Sequence, residues 1–268
     1  MDTAQCPRPL GDGSLSGGHQ RALPLPPPAS RRWPWANAGL LVLTLLSMAI
    51  AGAMQQGVNP LAGGPQALVH LVEGLPFATA LAAILAAHEF GHYIAARRWG
   101  LSVSLPYFLP LPFPLTGTAG AFIRIRQPIT TKPALFDIGV AGPFAGFLVT
   151  IPALFVGLAM SNVAPLPPVF SGAELGEPLL FKFAEWVVWG DIPEHLSLNL
   201  HPMAFAAWFG LLATALNLFP LGQFDGGHIS YAAFGRRSLY VTIGTIAIAL
   251  GLCFYSSSWI VWTGLAVA

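Results

Sequence analysis

The chain has 268 residues with 12 Lys+Arg against 11 Asp+Glu, and only 9% of its residues are charged, where a soluble domain carries about 25%. With 54% hydrophobic residues and a mean hydropathy of +0.64, it could not cover a soluble surface and reads as a polytopic membrane protein. A net charge of +1 offers no broad basic face for nucleic acid.

Residues 1–34 are rich in Pro, Gly and Ser and lack apolar periodicity, so they read as a disordered cytoplasmic tail. They hold no apolar core of the kind a secretory signal needs. Arg8, Arg21, Arg31 and Arg32 would suit an organellar transit peptide, but Asp2, Asp12 and the prolines count against one. Cys6 and Cys253 give neither a disulfide framework nor zinc-finger spacing.

Residues 35–268 are expected to form one membrane-embedded domain. A membrane helix needs about 20 mostly apolar residues, and five stretches qualify: Trp35 to Met54, Pro76 to Ala96, Leu135 to Met160, Pro202 to Phe219, and Leu239 to the end of the sequence. Residues 176–190, apolar with two Trp, read as an interfacial helix. If they cross, the spans number six. With five crossings, Arg31, Arg32, Arg97, Arg98, Arg124, Arg126, Lys132, Arg236 and Arg237 fall on one side. Lys182 alone falls on the other, in a loop rich in Glu and Asp. The positive-inside rule then puts the N-terminus in the cytoplasm and the C-terminus outside.

The second span contains three ionisable groups, His88, Glu89 and His92. His88 lies eight residues before Ala96, roughly 12 Å from the cytoplasmic end at 1.5 Å per residue. Polar groups at that depth are costly and mark function. His88 and His92 share one helical face at i and i+4, a spacing that lets two imidazoles hold one metal. Glu89 sits about 100° round the helix and can reach a water beside the metal without taking a ligand place. This is the His-Glu-x-x-His pattern of zinc metalloproteases. The bland alternative, satisfied core histidines, is disfavoured by three such groups on one turn.

A catalytic zinc usually takes three protein ligands. Asp137, at the mouth of the third span, is equally a helix N-terminal carboxylate. His195 and His201 belong to the outer side. Asp225 follows the fourth span in LNLFPLGQFDGGHISY. Pro220 ends the helix there, and the glycines permit a tight turn that could re-enter the bilayer. Local sequence alone leaves that reading level with a surface Asp-Gly turn.

In residues 119–126, Ala121, Ile123 and Ile125 alternate with Phe122, Arg124 and Arg126, a strand period. A small β-hairpin at the cytoplasmic interface is expected. It is either structural, with its arginines anchored at headgroups, or an edge to which an extended substrate adds. Small residues in GVAGPFAGF, 139–147, read as helix packing.

Taken together, the chain resembles the site-2 protease family of intramembrane zinc metalloproteases. His88-Glu89-Phe90-Gly91-His92 resembles the family's metal helix. Asn217-Leu218-Phe219-Pro220 with Asp225-Gly226-Gly227 resembles its third-ligand motif. Gly117 to Gly120 with FIRIR, then GVAGPFAGF, resembles the intervening segment of bacterial members. The resemblance covers about residues 76–235, and no PDZ insertion is present between the third and fourth spans. It implies an all-α polytopic membrane fold with about five spans and the small hairpin. It also implies one zinc held by His88, His92 and Asp225, with Glu89 as general base. Asn217 is then a substrate or oxyanion contact, or else a helix–helix hydrogen bond. The implied protein is an intramembrane zinc metalloendopeptidase of a bacterial inner membrane, acting on a membrane helix or its juxtamembrane part. A metal-ion or proton transporter using the same cluster is the alternative.

Overall fold

The computed structural model describes residues 34–62, 64–112, 115–165, 176–193, 195–222, 224–254, 259, 263 and 264. The tail expected at 1–34 lies outside these residues, apart from Pro34.

The first long helix, α1 (Trp35–Gln55), starts after Pro34 and runs through an apolar stretch with no charged residue. A turn of 3-10 helix (Pro65–His70) feeds α2 (Leu71–Arg98). This helix starts before Pro76, the residue expected to begin it. A proline this early forfeits one intrahelical bond without stopping the helix. The third helix, α3 (Lys132–Ala159), likewise runs through Pro143 and Pro152. Next come α4 (Leu179–Trp189), where the interfacial helix was expected, and α5 (Pro202–Asn217). Then α6 (Asp225–Phe234) leads through a short 3-10 turn to α7 (Ser238–Cys253).

Four segments are long and apolar enough to cross a membrane: Trp35–Gln55, Pro65–Arg98, Lys132–Ala159 and Asp225–Cys253. The expected fourth span is the shorter α5, 16 residues long, about 24 Å at 1.5 Å per residue. It is buried along most of its length and packs against α2 and α3, so it faces protein more than lipid. The last apolar segment begins at Asp225, ahead of the expected Leu239, because α6 and α7 are almost continuous.

Two small antiparallel sheets accompany the helices. The strands β1 (Tyr107–Pro110) and β2 (Thr118–Phe122) form the expected hairpin, pairing Tyr107 with Phe122 and Phe108 with Ala121. A second pair, β3 (Asn162–Pro165) with β4 (Leu196–Asn199), was not anticipated. It joins the end of α3 to the start of α5. His201 caps α5, its Nδ1 accepting the Met203 N–H at 3.2 Å, and its own N–H donates to Ser161 Oγ at 2.9 Å.

The main apolar cluster lies where α1, α2, α3, α4 and α5 meet, around Met48, Phe77, Leu154, Leu158, Ala184 and Phe209. The helices approach closely because the crossing points carry glycine. A Cβ on Gly74 would stand 2.7 Å from the Ala53 nitrogen and collide with the Ala49 carbonyl. A backbone cannot yield as a side chain can. Gly74→Ala should therefore destabilise the α1–α2 crossing by about 1–3 kcal/mol, read as a lower thermal midpoint in detergent. Gly39→Ala, whose Cβ would meet nothing within 4 Å, should leave the midpoint unchanged.

Candidate metal centre

The α2 face bearing His88 and His92 packs on α3, where small residues leave room for two rings. A Cβ on Gly142 would occupy the place of the His92 imidazole, and one on Gly146 would stand 3.2 Å from His88 Cβ. His92 Nδ1 donates to the Ile138 carbonyl at 2.7 Å. That bond fixes the tautomer and leaves Nε2 as a lone-pair donor to a metal. The two rings meet edge to face with centroids 4.8 Å apart, and their Nε2 atoms are 3.1 Å from each other.

Asp225 arrives from the other side. Pro220 follows the end of α5, and the chain doubles back through the bonds Leu221 N–H to Phe219 O at 2.7 Å and Phe224 N–H to Leu221 O at 3.0 Å. Gly226 lies so close to the Leu218 and Phe219 carbonyls that a Cβ there would strike both. The fold of this turn brings Asp225 Oδ2 to 3.3 Å from His88 Nε2 and 3.3 Å from His92 Nε2. Among the described residues, His88, His92 and Asp225 form the one group of three whose ligand atoms could hold a single ion.

The three atoms form a triangle with sides of 3.1, 3.3 and 3.3 Å. A tetrahedron with metal bonds of about 2.0–2.1 Å has edges of about 3.3–3.4 Å, so the donor set suits zinc. Two imidazoles and one carboxylate also leave one coordination position open, as hydrolytic zinc sites do. Both histidines are only 8% exposed, and Glu89 beside them 7%.

These residues line a cavity of about 340 Å³ that also includes Asn217, His228, Ile123, Ile125, Ile138 and Gly139. Asn217 Nδ2 is 3.4 Å from His88 Nε2, a long contact. The Glu89 carboxylate faces the backbone N–H of Ile123. The segment Arg124–Arg126 extends the hairpin: Ser104 N–H donates to Arg124 O at 3.0 Å and Arg126 N–H to Ser102 O at 2.9 Å. Val103 bridges Ile125. Among the described residues, Ile123 and Ile125 make no backbone–backbone bond; with the Ile123 N–H turned to Glu89, the Ile123 C=O and the Ile125 N–H and C=O form an open edge along the cavity.

The other acids and histidines weighed from the sequence lie elsewhere. Asp137 Oδ2 accepts from Trp99 Nε1 at 3.0 Å, and His201 caps α5. Three contributors were not anticipated. The Ile138 carbonyl carries no side-chain signal that could have revealed it. Gly142 was visible only as part of a small-residue stripe. His228 lies three residues after Asp225 and lines the same cavity.

Comparison with known proteins adds a second line of evidence. Residues 76–258 match the family model described as Peptidase family M50. The chain is 31% identical over 183 residues to "Probable zinc metalloprotease EGY2, chloroplastic" of Arabidopsis thaliana, covering 68% of this chain and 33% of that protein. It is 35% identical over 191 residues to "Probable zinc metalloprotease EGY1, chloroplastic" of Oryza sativa subsp. japonica, again 68% of this chain and 33% of the other. Against the Arabidopsis thaliana protein of that second name, identity is 28% over 274 residues, 92% of this chain and 48% of the relative. The chain thus spans a third to a half of the length of these curated relatives.

Crowding at Gly142 gives a test that touches no ligand. Gly142→Ala should displace the His92 ring and lower the zinc retained per purified chain at least tenfold after dialysis against a weak chelator. Zinc content by mass spectrometry reads the effect, and Gly244→Ala, whose Cβ would meet nothing within 4 Å, should retain full zinc.

Proposed function

Because the chain belongs to peptidase family M50, the site-2 protease family, we propose that it is an intramembrane zinc metalloendopeptidase. Its substrate is a membrane protein, cut within or next to a transmembrane segment. The observation that carries this reading is the triangle of two imidazole nitrogens and one carboxylate oxygen beside a buried glutamate. His88, His92 and Asp225 are the proposed ligands of one zinc per chain.

When bound, zinc lowers the pKa of a coordinated water to about 7 and polarises the scissile carbonyl. Glu89 takes a proton from the attacking water and delivers it to the leaving amine nitrogen. Its place on the helix that carries both histidines suits that task, because one rigid element sets the distance between base and ligands. His92 is held by the Ile138 carbonyl, which orients its ring with Nε2 toward the ligand atoms of His88 and Asp225. Asn217 has an amide at the cavity wall that can donate to a substrate carbonyl once the His88 Nε2 lone pair is committed to the metal.

A substrate helix hides its peptide bonds in internal hydrogen bonds and must unwind before water can attack. The open edge at Ile123 and Ile125 supports a β-addition role for this strand. An extended substrate segment would bond to that edge and be held across the mouth of the cavity, with its carbonyls released from helical bonding. The positive charges at Arg97, Arg98, Arg124, Arg126 and Arg236 favour five crossings with this mouth on the cytoplasmic side. We assign the membrane as a bacterial inner membrane, from the likeness of residues 117–147 to bacterial members. The relatives' own printed names are chloroplastic.

Two variants test the reading. Glu89→Gln should keep one zinc per chain and reduce cleavage of a co-expressed membrane substrate by at least a hundredfold, within the range general-base loss produces. Undiminished cleavage would remove Glu89 from the chemistry. Ile125→Pro deletes one open-edge donor that no other backbone group uses. It should cut the cleavage rate about tenfold with zinc retained, whereas unchanged cleavage would eliminate the edge role.

A further inference from the structure

The strand beside the cavity presents two chemically different faces. Ile123 and Ile125 are half-buried and line the cavity, while Arg124 and Arg126, alternating with them, are exposed. The backbone of both arginines bonds on the inner side: Arg124 O accepts from Ser104 N–H, Arg124 N–H donates to Ser104 Oγ, and Arg126 N–H donates to Ser102 O. Their guanidinium groups make no hydrogen bond or ion pair among the described residues. Two unpaired cations thus stand side by side on one face of a strand whose outer edge is open.

A strand added to that edge would place its side chains alternately over the cavity and beside the arginines. Residues directly opposite one another have Cβ atoms about 4.5–5.5 Å apart, and opposite charges there attract while like charges repel. We propose that Arg124 and Arg126 select substrates in which the segment lying along the Ile123–Ile125 edge carries acidic side chains at alternate positions. The residues between them are apolar and enter the cavity near Glu89. This inference rests on the β-addition reading and adds to it the chemical class of the segment recognised. Arginine suits the task because its planar fork matches a carboxylate in two bonds.

The test uses the full chain as Glu89→Gln, loaded with zinc, in nanodiscs of phosphatidylcholine, which contributes no net headgroup charge. The probes are three fluorescent peptides. Each has an apolar membrane helix continued by a five-residue extended segment, with Asp, Asn or Lys at the two alternate positions. Binding is read by fluorescence anisotropy. The expected order of affinity is Asp, then Asn, then Lys, with about a tenfold span from first to last, narrowing as salt is raised. Arg124→Glu/Arg126→Glu should invert the order. Equal affinities, no binding by any peptide, or an order unchanged by the double substitution would each overturn the selection. An equal loss for all three peptides in the double variant is what arginines serving only as headgroup anchors would give, and it too overturns it. Ile125→Pro separates the two readings. It should weaken all three peptides together, and if it does not, the β-addition reading fails whatever the charge order.

Discussion

Two imidazole nitrogens 3.1 Å apart, each 3.3 Å from one carboxylate oxygen, set the terms for everything around them. Ionisable groups far from water are costly unless they are paired or coordinate a metal. Here the His92 ring keeps its proton on Nδ1 and donates it in a hydrogen bond to the Ile138 carbonyl, so its Nε2 brings a lone pair to the meeting point. A divalent cation satisfies both rings and the carboxylate at once. The separations of the three atoms suit the ordinary bond lengths of zinc, which they would hold.

The rest of the fold serves that meeting. The rings need space on α3, which Gly142 and Gly146 leave by having no side chain. The carboxylate needs a return path from the end of α5, which Pro220 starts and Gly226 completes by close backbone approach. Thr242 of α7 donates to the Pro220 carbonyl at 2.8 Å, tying the last helix to the same turn. The hairpin then borders the cavity, with the Ile123 N–H turned to Glu89 and the Ile125 backbone groups left without a backbone partner. An exposed strand edge is ordinarily a liability. In the proposed mechanism it is the means of holding an unwound substrate.

Much of this was legible from the residues, for reasons that differ from place to place. His88, Glu89 and His92 announce themselves because one helix sets their spacing and because apolar neighbours make their presence costly. The long helices follow from uninterrupted apolar length. Asp225 was not legible from local sequence, since an Asp-Gly pair reads equally as a surface turn. Its approach to α2 depends on where α5 ends and how the chain reverses, and the family resemblance selected it. The Ile138 carbonyl could not be found at all, because a backbone acceptor leaves no trace in residue type. The β3–β4 pair escaped because its strands have four residues each and pair across a long intervening stretch. The extension of α2 past Pro76 shows helix packing overriding a local stop signal.

The most direct measurement is X-ray absorption at the zinc edge on the purified full chain. The account requires a four-coordinate shell at about 2.0–2.1 Å containing two imidazoles and light oxygen scatterers, with one oxygen lost or replaced in Asp225→Ala. A chain that binds no zinc, or a shell indistinguishable between the parent and Asp225→Ala, would contradict it.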